Sequence, residues 1–541
     1  MGLGKVPGML TTVTFVATCL LATMDTHLFV YPSLSRYLFL ELGIISLSFV
    51  TLFGLMMTKD GGVVFTKTEV FVLLWVLYVV IYGNFVQPGE HYRMYYLGVS
   101  LLLVPVLAGL LRHQLISCNS IETGMMLAAG IHLLYIVGQW TGMMESGNKY
   151  FHITGCNENP TVSALLLVGC LPMLLSRLRR TEGRMLFSCL LVITIAGIIL
   201  LRCRTAYVGM AVEVAVILTI HYRDRLRLFA RHWFYTSIAV LAVIAITAAI
   251  GNKLYEMKKD SADGRLLIWK LSAAMVAERP MGYGYGLFEK NYNLRQADYF
   301  ANSESTATEK KNADFVMMPY NDYLEQTIEG GIIGMLFLLV FYIITVRTAI
   351  RQRQWEAIAV LSAFAVMSLF NFVYSSIAPW LLVLCYAAIV ASTDDSRLVC
   401  KRMPRHAPIL LLLPAAATLW GVLCITNAQI ELKYLDETGK DGHHIDDGRY
   451  AAIEKNIGTS EAFWTSRARN SMKAGRYADA LESIHQARLY SSSPVLFVAA
   501  YRCLVKVGQD DAAMSQLDTL SHMIPQKFNK EQFQMIENRH E

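Results

Sequence analysis

Long apolar stretches alternate with short polar ones along most of this chain. Runs suited to membrane helices cover residues 9–24, 37–57, 69–85, 95–111, 122–140, 160–176, 185–201, 205–220 and 234–251, then 327–346, 355–373, 376–391 and 408–427. Each approaches the roughly 20 residues that a helix needs to cross a bilayer. The pattern predicts an all-α, polytopic membrane protein of about 12–13 transmembrane helices. The first run follows a single Lys5 and has no small-x-small cleavage site behind it, so it reads as an anchor. Two segments interrupt the rhythm, and four parts follow: helices in 1–251, a polar loop at 252–326, helices in 327–427, and a tail at 428–541.

Sidedness comes from the basic residues. With the N-terminus in the cytoplasm, four connections between runs fall on one side. They carry Arg177, Arg179, Arg180 and Arg184; Arg223, Arg225, Arg227 and Arg231; Arg347, Arg351 and Arg353; and Arg397, Lys401, Arg402 and Arg405. The expected topology is therefore N-in, with the loop and the tail on the outer side.

The tail reads as soluble and repeats itself. Gly475, Ala480, Leu481 and Ile484 recur 33 residues later as Gly508, Ala513, Met514 and Leu517. Each copy reads as helix, glycine turn and helix, closed by Pro494 or Pro525, and Trp464 and Tyr477 fit the same scheme. The pattern resembles tetratricopeptide repeats, so one reading is a docking surface for a protein or substrate, and the other a small folded tail that only stabilises its host. Two copies are few for independent stability, and segment 431–463 is expected to cap them.

Composition agrees with the pattern. Of the 541 residues, 54% are hydrophobic and 17% charged, and mean hydropathy is +0.40. That balance excludes a disordered chain and a disulfide-rich secreted scaffold. The net charge of +6 reflects the cytoplasmic clusters, because the loop and the tail are each slightly acidic. It therefore argues for membrane orientation and against a nucleic-acid partner. The ten cysteines mostly sit in apolar runs without metal or disulfide spacing.

Phosphate-loop, zincin and serine-hydrolase motifs are absent. What remains are polar residues on the outer side, next to the spans. Arg202 and Arg204 stand between the seventh and eighth runs with almost no loop around them. An arginine inside a bilayer costs about 2.5–3.5 kcal/mol on the gentler scales, so these sit at an interface or in a polar cavity. Arg265 precedes the helical periodicity of Leu266–Met275, which suggests a helix start, where anions bind well. The run Gly282-Tyr283-Gly284-Tyr285-Gly286 after Pro280 marks a tight turn.

Taken in order, the sequence shows Arg204-Thr205-Ala206-Tyr207, Gly264-Arg265 with Ile268-Trp269, and Pro280-x-Gly282-x-Gly284 with Phe288. It continues with Asn321-x-Tyr323-Leu324-Glu325 and Glu329-Gly330-x-Ile332-x-Gly334. This order resembles the O-antigen ligase and polymerase superfamily of bacterial inner membranes, strongly over about 150–345. Gly155 with Asn159-Pro160 is similar to a further signature of that family.

The resemblance implies a glycosyltransferase of the periplasmic face that needs neither metal nor other cofactor. Its donor would be a glycan on a polyprenyl (undecaprenyl) diphosphate, and its acceptor lipid A–core, a growing polysaccharide or a protein Ser/Thr hydroxyl. Arg204 and Arg265 would bind the diphosphate, for which the rigid, permanently charged guanidinium fork is suited. Tyr320 stands where the family usually has histidine, directly before Asn321. A phenol is a poor base near neutral pH, so Tyr320 would hydrogen-bond the donor phosphate or the acceptor hydroxyl beside Asn321, or Asp322, Glu325 or His152 would take the acceptor proton. Arg202 and Asn159 complete the candidates. For Asp322 and Glu325 the alternative reading is capping of the next helix, and for Arg202 a snorkelling interfacial arginine. Polymerisation, lipid transport and a non-catalytic scaffold are the competing functions. Paired broken spans and inverted repeats, the usual marks of a transporter, are not evident.

Overall fold

The computed structural model describes residues 5–26, 28–57, 62–179, 183–223, 225, 259–302, 305–402, 407–441 and 445–534. Helices dominate, because only internal hydrogen bonding satisfies a backbone in lipid. In the apolar regions they are α1 (Lys5–Ala22), α2 (Leu34–Met57), α3 (Lys67–Ile81), α4 (His91–Arg112), α5 (Cys118–Trp140), α6 (Pro160–Leu178), α7 (Arg184–Leu200) and α8 (Arg204–His221). The polar loop forms α9 (Lys259–Glu278), α10 (Phe288–Asn302) and α11 (Ala307–Asn312). Apolar helices resume with α12 (Asp322–Arg351), α13 (Trp355–Met367), α14 (Ile377–Ser392) and α15 (Ala407–Lys440). The tail adds α16 (Asp447–Ile457), α17 (Glu461–Lys473), α18 (Tyr477–Ala487), α19 (Pro494–Val507) and α20 (Asp510–Met523).

Among the described residues, eight helices are long and apolar enough to cross a membrane, and four shorter ones are apolar. They coincide with twelve of the expected runs; the run at 234–251 lies outside the described residues. The protein is thus an all-α polytopic membrane protein. The sequence pattern did not foresee a small antiparallel ladder, β1 (Gly62–Thr66) with β2 (Arg397–Arg402).

The chain divides into two compact units. The first comprises Met1–Val214, Asn321–Tyr323 and Ile333–Gly458, and the second Ala215–Tyr320, Leu324–Ile332 and Thr459–Glu541.

In the first unit, the N-termini of α2, α4, α6, α8 and α12 meet at one end. Arg36 of α2 donates to Asn157 just before α6 at 3.1 Å. Arg93 of α4 donates to Ser375 at 2.7 Å, and Asn371 donates to Thr205 of α8 at 3.2 Å. The Asp322 carboxylate that opens α12 accepts from the backbone N–H groups of Val373 (2.9 Å) and Tyr374 (3.2 Å). The opposite end is held by charge pairs: Arg112 with Glu69, Arg177 with Glu122, and Arg351 with Asp394. Arg179 lies 4.7 Å over the Trp355 ring there. Members of separate expected basic clusters therefore share one end of the bundle, as a common membrane side requires.

The second unit is built on an apolar core of α9, α10 and the start of α12, including Leu267, Leu271, Tyr292 and Ile328. Helix α12 is broken at Gly331, where φ is +69° and ψ 179°. A break strips neighbouring backbone groups of their helical partners. Here the glycine-rich turn replaces them: Tyr283 and Gly284 donate to the carbonyls of Ile328 (2.7 Å) and Glu329 (3.0 Å), and Ile332 donates to Pro280 (3.0 Å). A Cβ on Gly331 would lie 2.6 Å from the Met281 carbonyl oxygen, and one on Gly330 2.6 Å from the Tyr285 hydroxyl. The two glycine motifs are thus halves of one structural device.

The tail helices α17–α20 form two helix–turn–helix pairs with Gly475 and Gly508 in the left-handed region, at φ +72° and +80°. The repeated positions Ala480, Ile484, Ala513 and Leu517 are buried. The expected cap at 431–463 takes another form. Residues up to Lys440 prolong α15 without a break at Ala428, and α16 belongs to the first unit.

Within the second unit the repeats pack against the loop. Gln296 of α10 donates to the Met523 carbonyl at 2.7 Å, Glu289 accepts from the Ser492 hydroxyl at 2.8 Å, and Ala297 joins a core with Phe497 and Leu520.

Candidate active site

In the second unit, Arg265 and Tyr320 come together. The Trp269 indole N–H donates to the Pro319 carbonyl at 2.9 Å, which pins the turn before α12 against α9. Tyr320 then adopts φ +53°, a left-handed conformation that costs a non-glycine residue about 1–3 kcal/mol. The result sets the Arg265 guanidinium 4.9 Å from the centroid of the Tyr320 ring. Burial pushes the Tyr320 phenol above its ordinary pKa, with Arg265 pulling the other way and Asp314 adding to the rise. The phenol is accordingly neutral around pH 7.

One expectation needs correcting. Arg265 does not open a helix, because α9 already runs from Lys259 and places Arg265 in its second turn. The apolar periodicity that suggested a start at Leu266 marks only the part of α9 that faces the core. Anion binding at Arg265 rests on the side chain rather than on the helix end.

Glu325 and Gln326 follow in the second unit, both buried. The Gln326 side chain has no hydrogen-bond partner among the described residues for either its Oε1 or its Nε2. Sequence reasoning passed over it, since a glutamine beside a glutamate gives no distinctive signal.

In the first unit, Arg204 is the first residue of α8, beside Thr205, whose hydroxyl accepts from Asn371. Asn321 immediately precedes Asp322, which is wholly buried. The carboxylate of Asp322 anchors residues 373–374 through their backbone N–H groups. The same loop engages Arg93, whose guanidinium lies 5.3 Å from the Tyr374 ring, while the Tyr96 hydroxyl donates to the Tyr374 carbonyl at 3.1 Å. Arg93 was missed, although an arginine flanking the outer end of a span was the same signal that singled out Arg202 and Arg204.

The remaining candidates in the first unit are peripheral or structural. Arg202 is exposed in the turn between α7 and α8 with φ +49°, and His152 is exposed in the 151–159 loop. Asn159 caps α6 by accepting from the Thr161 N–H at 2.9 Å. Gly155 takes φ +77°, and a Cβ there would lie 2.4 Å from the Ser163 hydroxyl. The Gly155–Pro160 signature therefore shapes the entry to α6.

The sequence model of the O-antigen ligase family matches residues 189–339. The match contains Arg202, Arg204, Arg265, Tyr320, Asn321, Asp322 and Glu325, together with both glycine motifs. It bears out the resemblance to the O-antigen ligase superfamily over that stretch and supports a membrane glycosyltransferase of ligase or polymerase type. No curated protein matches the chain.

Proposed function

We propose that the chain transfers a glycan from a polyprenyl diphosphate carrier to an acceptor hydroxyl on the outer, periplasmic face of a bacterial inner membrane, without a metal or other cofactor. The observation that carries this is Arg265 held against Tyr320, within the stretch matched by the ligase family. In the reaction the acceptor oxygen bonds to the anomeric carbon, and the bond from that carbon to the diphosphate oxygen breaks. The electron pair leaves with the carrier diphosphate, and the acceptor hydroxyl gives up its proton. Negative charge grows on the departing oxygens, and a fixed guanidinium stabilises it there.

Arg265 takes this role, with the Tyr320 ring fixing its position. The neutral phenol serves as a hydrogen-bond donor and not as the base. Arg204 is assigned the diphosphate through the resemblance alone. Transfer of a finished glycan is favoured over polymerisation because the repeat tail packs on the loop that carries Arg265 and offers an acceptor a second surface.

The test combines purified full-length protein, a polyprenyl-diphosphate glycan and candidate lipid and polypeptide acceptors. Release of carrier diphosphate with matching glycosylation of an acceptor is expected. Replacing Arg265 by Ala should lower the rate by about 10²–10³, the usual cost of losing a charge-stabilising donor. Undiminished turnover in that variant refutes the assignment. Carrier movement without cleavage would show a transporter, and inertness with tail-dependent partner binding a scaffold.

A further inference from the structure

Arg93 stands in the first turn of α4 and is only 8% exposed. Both placements are locally unfavourable. A cation at a helix N-terminus opposes the helix dipole, and burial strips it of water. A residue held against local preference is expected where the tertiary structure makes use of it. What Arg93 holds is the segment 368–376, between α13 and α14. The chain leaves helical geometry there, yet Asn371, Phe372, Val373 and Tyr374 are all buried. Non-helical backbone between two apolar helices persists only where protein groups satisfy it.

Groups from three helices grip this segment. From α4, Arg93 donates to the Ser375 hydroxyl at 2.7 Å and reaches the Tyr374 hydroxyl at 3.4 Å. Its guanidinium also lies 5.3 Å from the Tyr374 ring, and Tyr96 donates to the Tyr374 carbonyl. From α12, the Asp322 carboxylate accepts from Val373 and Tyr374, while the Asp322 N–H donates to the Ser368 carbonyl at 2.8 Å. From α8, the Thr205 hydroxyl accepts from Asn371, whose own Oδ1 accepts from the Phe372 N–H at 3.0 Å. One segment is therefore bonded both to the residue after Arg204 and to the residue after Asn321. Nearly buried and turned onto that segment, Arg93 is placed to hold it rather than to touch a substrate.

We propose that Arg93 is a positioning residue for glycan transfer: it pins segment 368–376, and through it sets the start of α8, with Arg204, against the Asn321–Asp322 step. The proposal rests on the glycosyltransferase reading, in which Arg204 meets the diphosphate and Asn321 belongs to the same reaction. Without Arg93 the segment keeps its bonds to α8 and α12 but loses its hold on α4, so both attachments shift while the helices persist. A displacement of about 1 Å costs on the order of a hundredfold when it misaligns reacting groups. The loss falls on kcat, because alignment counts most when charge moves onto the departing diphosphate. Arg93→Lys keeps the charge and a donor for Ser375, but it lacks the planar face that lies against Tyr374.

The test uses purified full-length protein, a polyprenyl-diphosphate glycan and the acceptor that wild type glycosylates. Arg93→Ala should lower kcat about a hundredfold and leave the donor KM within about twofold, with Arg93→Lys in between. Amide exchange at Val373 and Tyr374 should accelerate in Arg93→Ala, since their shared acceptor is then less firmly opposed. Thr205→Val cuts the same linkage at α8 and should also lower kcat. The double variant Arg93→Ala with Thr205→Val should be no slower than the slower single variant, because both release one segment; unconnected structural defects would multiply. If Arg93→Ala does not fold, Arg93→Lys and Thr205→Val, alone and combined, carry the same comparison. A kcat within about threefold of wild type, a loss confined to KM, or multiplying losses in the double variant overturns the role. Wild type that releases no carrier diphosphate refutes the glycosyltransferase reading and this role with it, whereas normal turnover in the variants of an active enzyme overturns this role alone.

Discussion

Replacing Gly331 by Ala tests the device that bends α12 beside the candidate residues. Its backbone, at φ +69° and ψ 179°, lies in a region that only glycine occupies readily, and forcing another residue there costs about 1–3 kcal/mol. The new Cβ would also sit 2.6 Å from the Met281 oxygen and 2.8 Å from its carbonyl carbon. Both are backbone atoms and cannot rotate away. Relief requires the 280–284 turn to move, which weakens its bonds to Ile328, Glu329 and Ile332, each worth about 1 kcal/mol net. A local destabilisation of about 3 kcal/mol follows, which is on the order of a hundredfold in the opening equilibrium. Amide hydrogen exchange at Tyr283, Gly284 and Ile332 should accelerate by that factor, and glycan transfer should fall with it. Gly130→Ala, in α5 with nothing within 4 Å of its Cβ, should leave exchange in the second unit unchanged. Unaltered protection of those three amides in Gly331→Ala would refute the reasoning.

Three further outcomes are expected. Tyr320→His introduces a group titrating near pH 6.5, so transfer should acquire a dependence on pH around that value that wild type lacks. A profile parallel to wild type would show that position 320 does not touch the reaction. Burial alone would raise the Glu309 pKa, but hydrogen bonds from Lys270 and Thr306 outweigh it and bring it to about 2. A depressed carboxylate stabilises above its unfolded value of about 4.3 and loses that contribution as pH falls toward 2. Helix α11 should therefore stay protected from exchange at pH 5 and open progressively below pH 4.5, and Glu309→Gln should remove the pH dependence. Gln296 donates to both Asp314 and Met523 carbonyls, and the Met523 bond is buried, so Gln296→Leu leaves that acceptor unpaired, at a cost of about 1–3 kcal/mol. Faster proteolysis after Met523, with the apolar helices intact, is the expected reading.

Apolar runs alone located twelve of the helices, because a bilayer leaves a backbone little choice but to satisfy itself locally. The 33-residue recurrence likewise located both glycine turns of the tail, since a left-handed turn favours glycine wherever the repeat places it. Arg265 and Tyr320 were legible as chemistry-bearing residue types in a recognisable order. Their contact was not, as it depends on Trp269 reaching Pro319 fifty residues away. Asp322 shows the same limit: its place before a helix gives no sign that its carboxylate holds backbone from the far side of α13. The start of α9 was misplaced because periodicity reports only the face that meets a core. Gln326 emerged only from packing, whereas Arg93 carried the same sequence signal as Arg202 and Arg204 and was passed over. A residue's polarity and its neighbours in sequence are local properties, and they determined the helices and the candidate residues. Which of those residues are satisfied by the fold, and which are left facing a ligand, depends on contacts between distant segments, and the tertiary structure decided it.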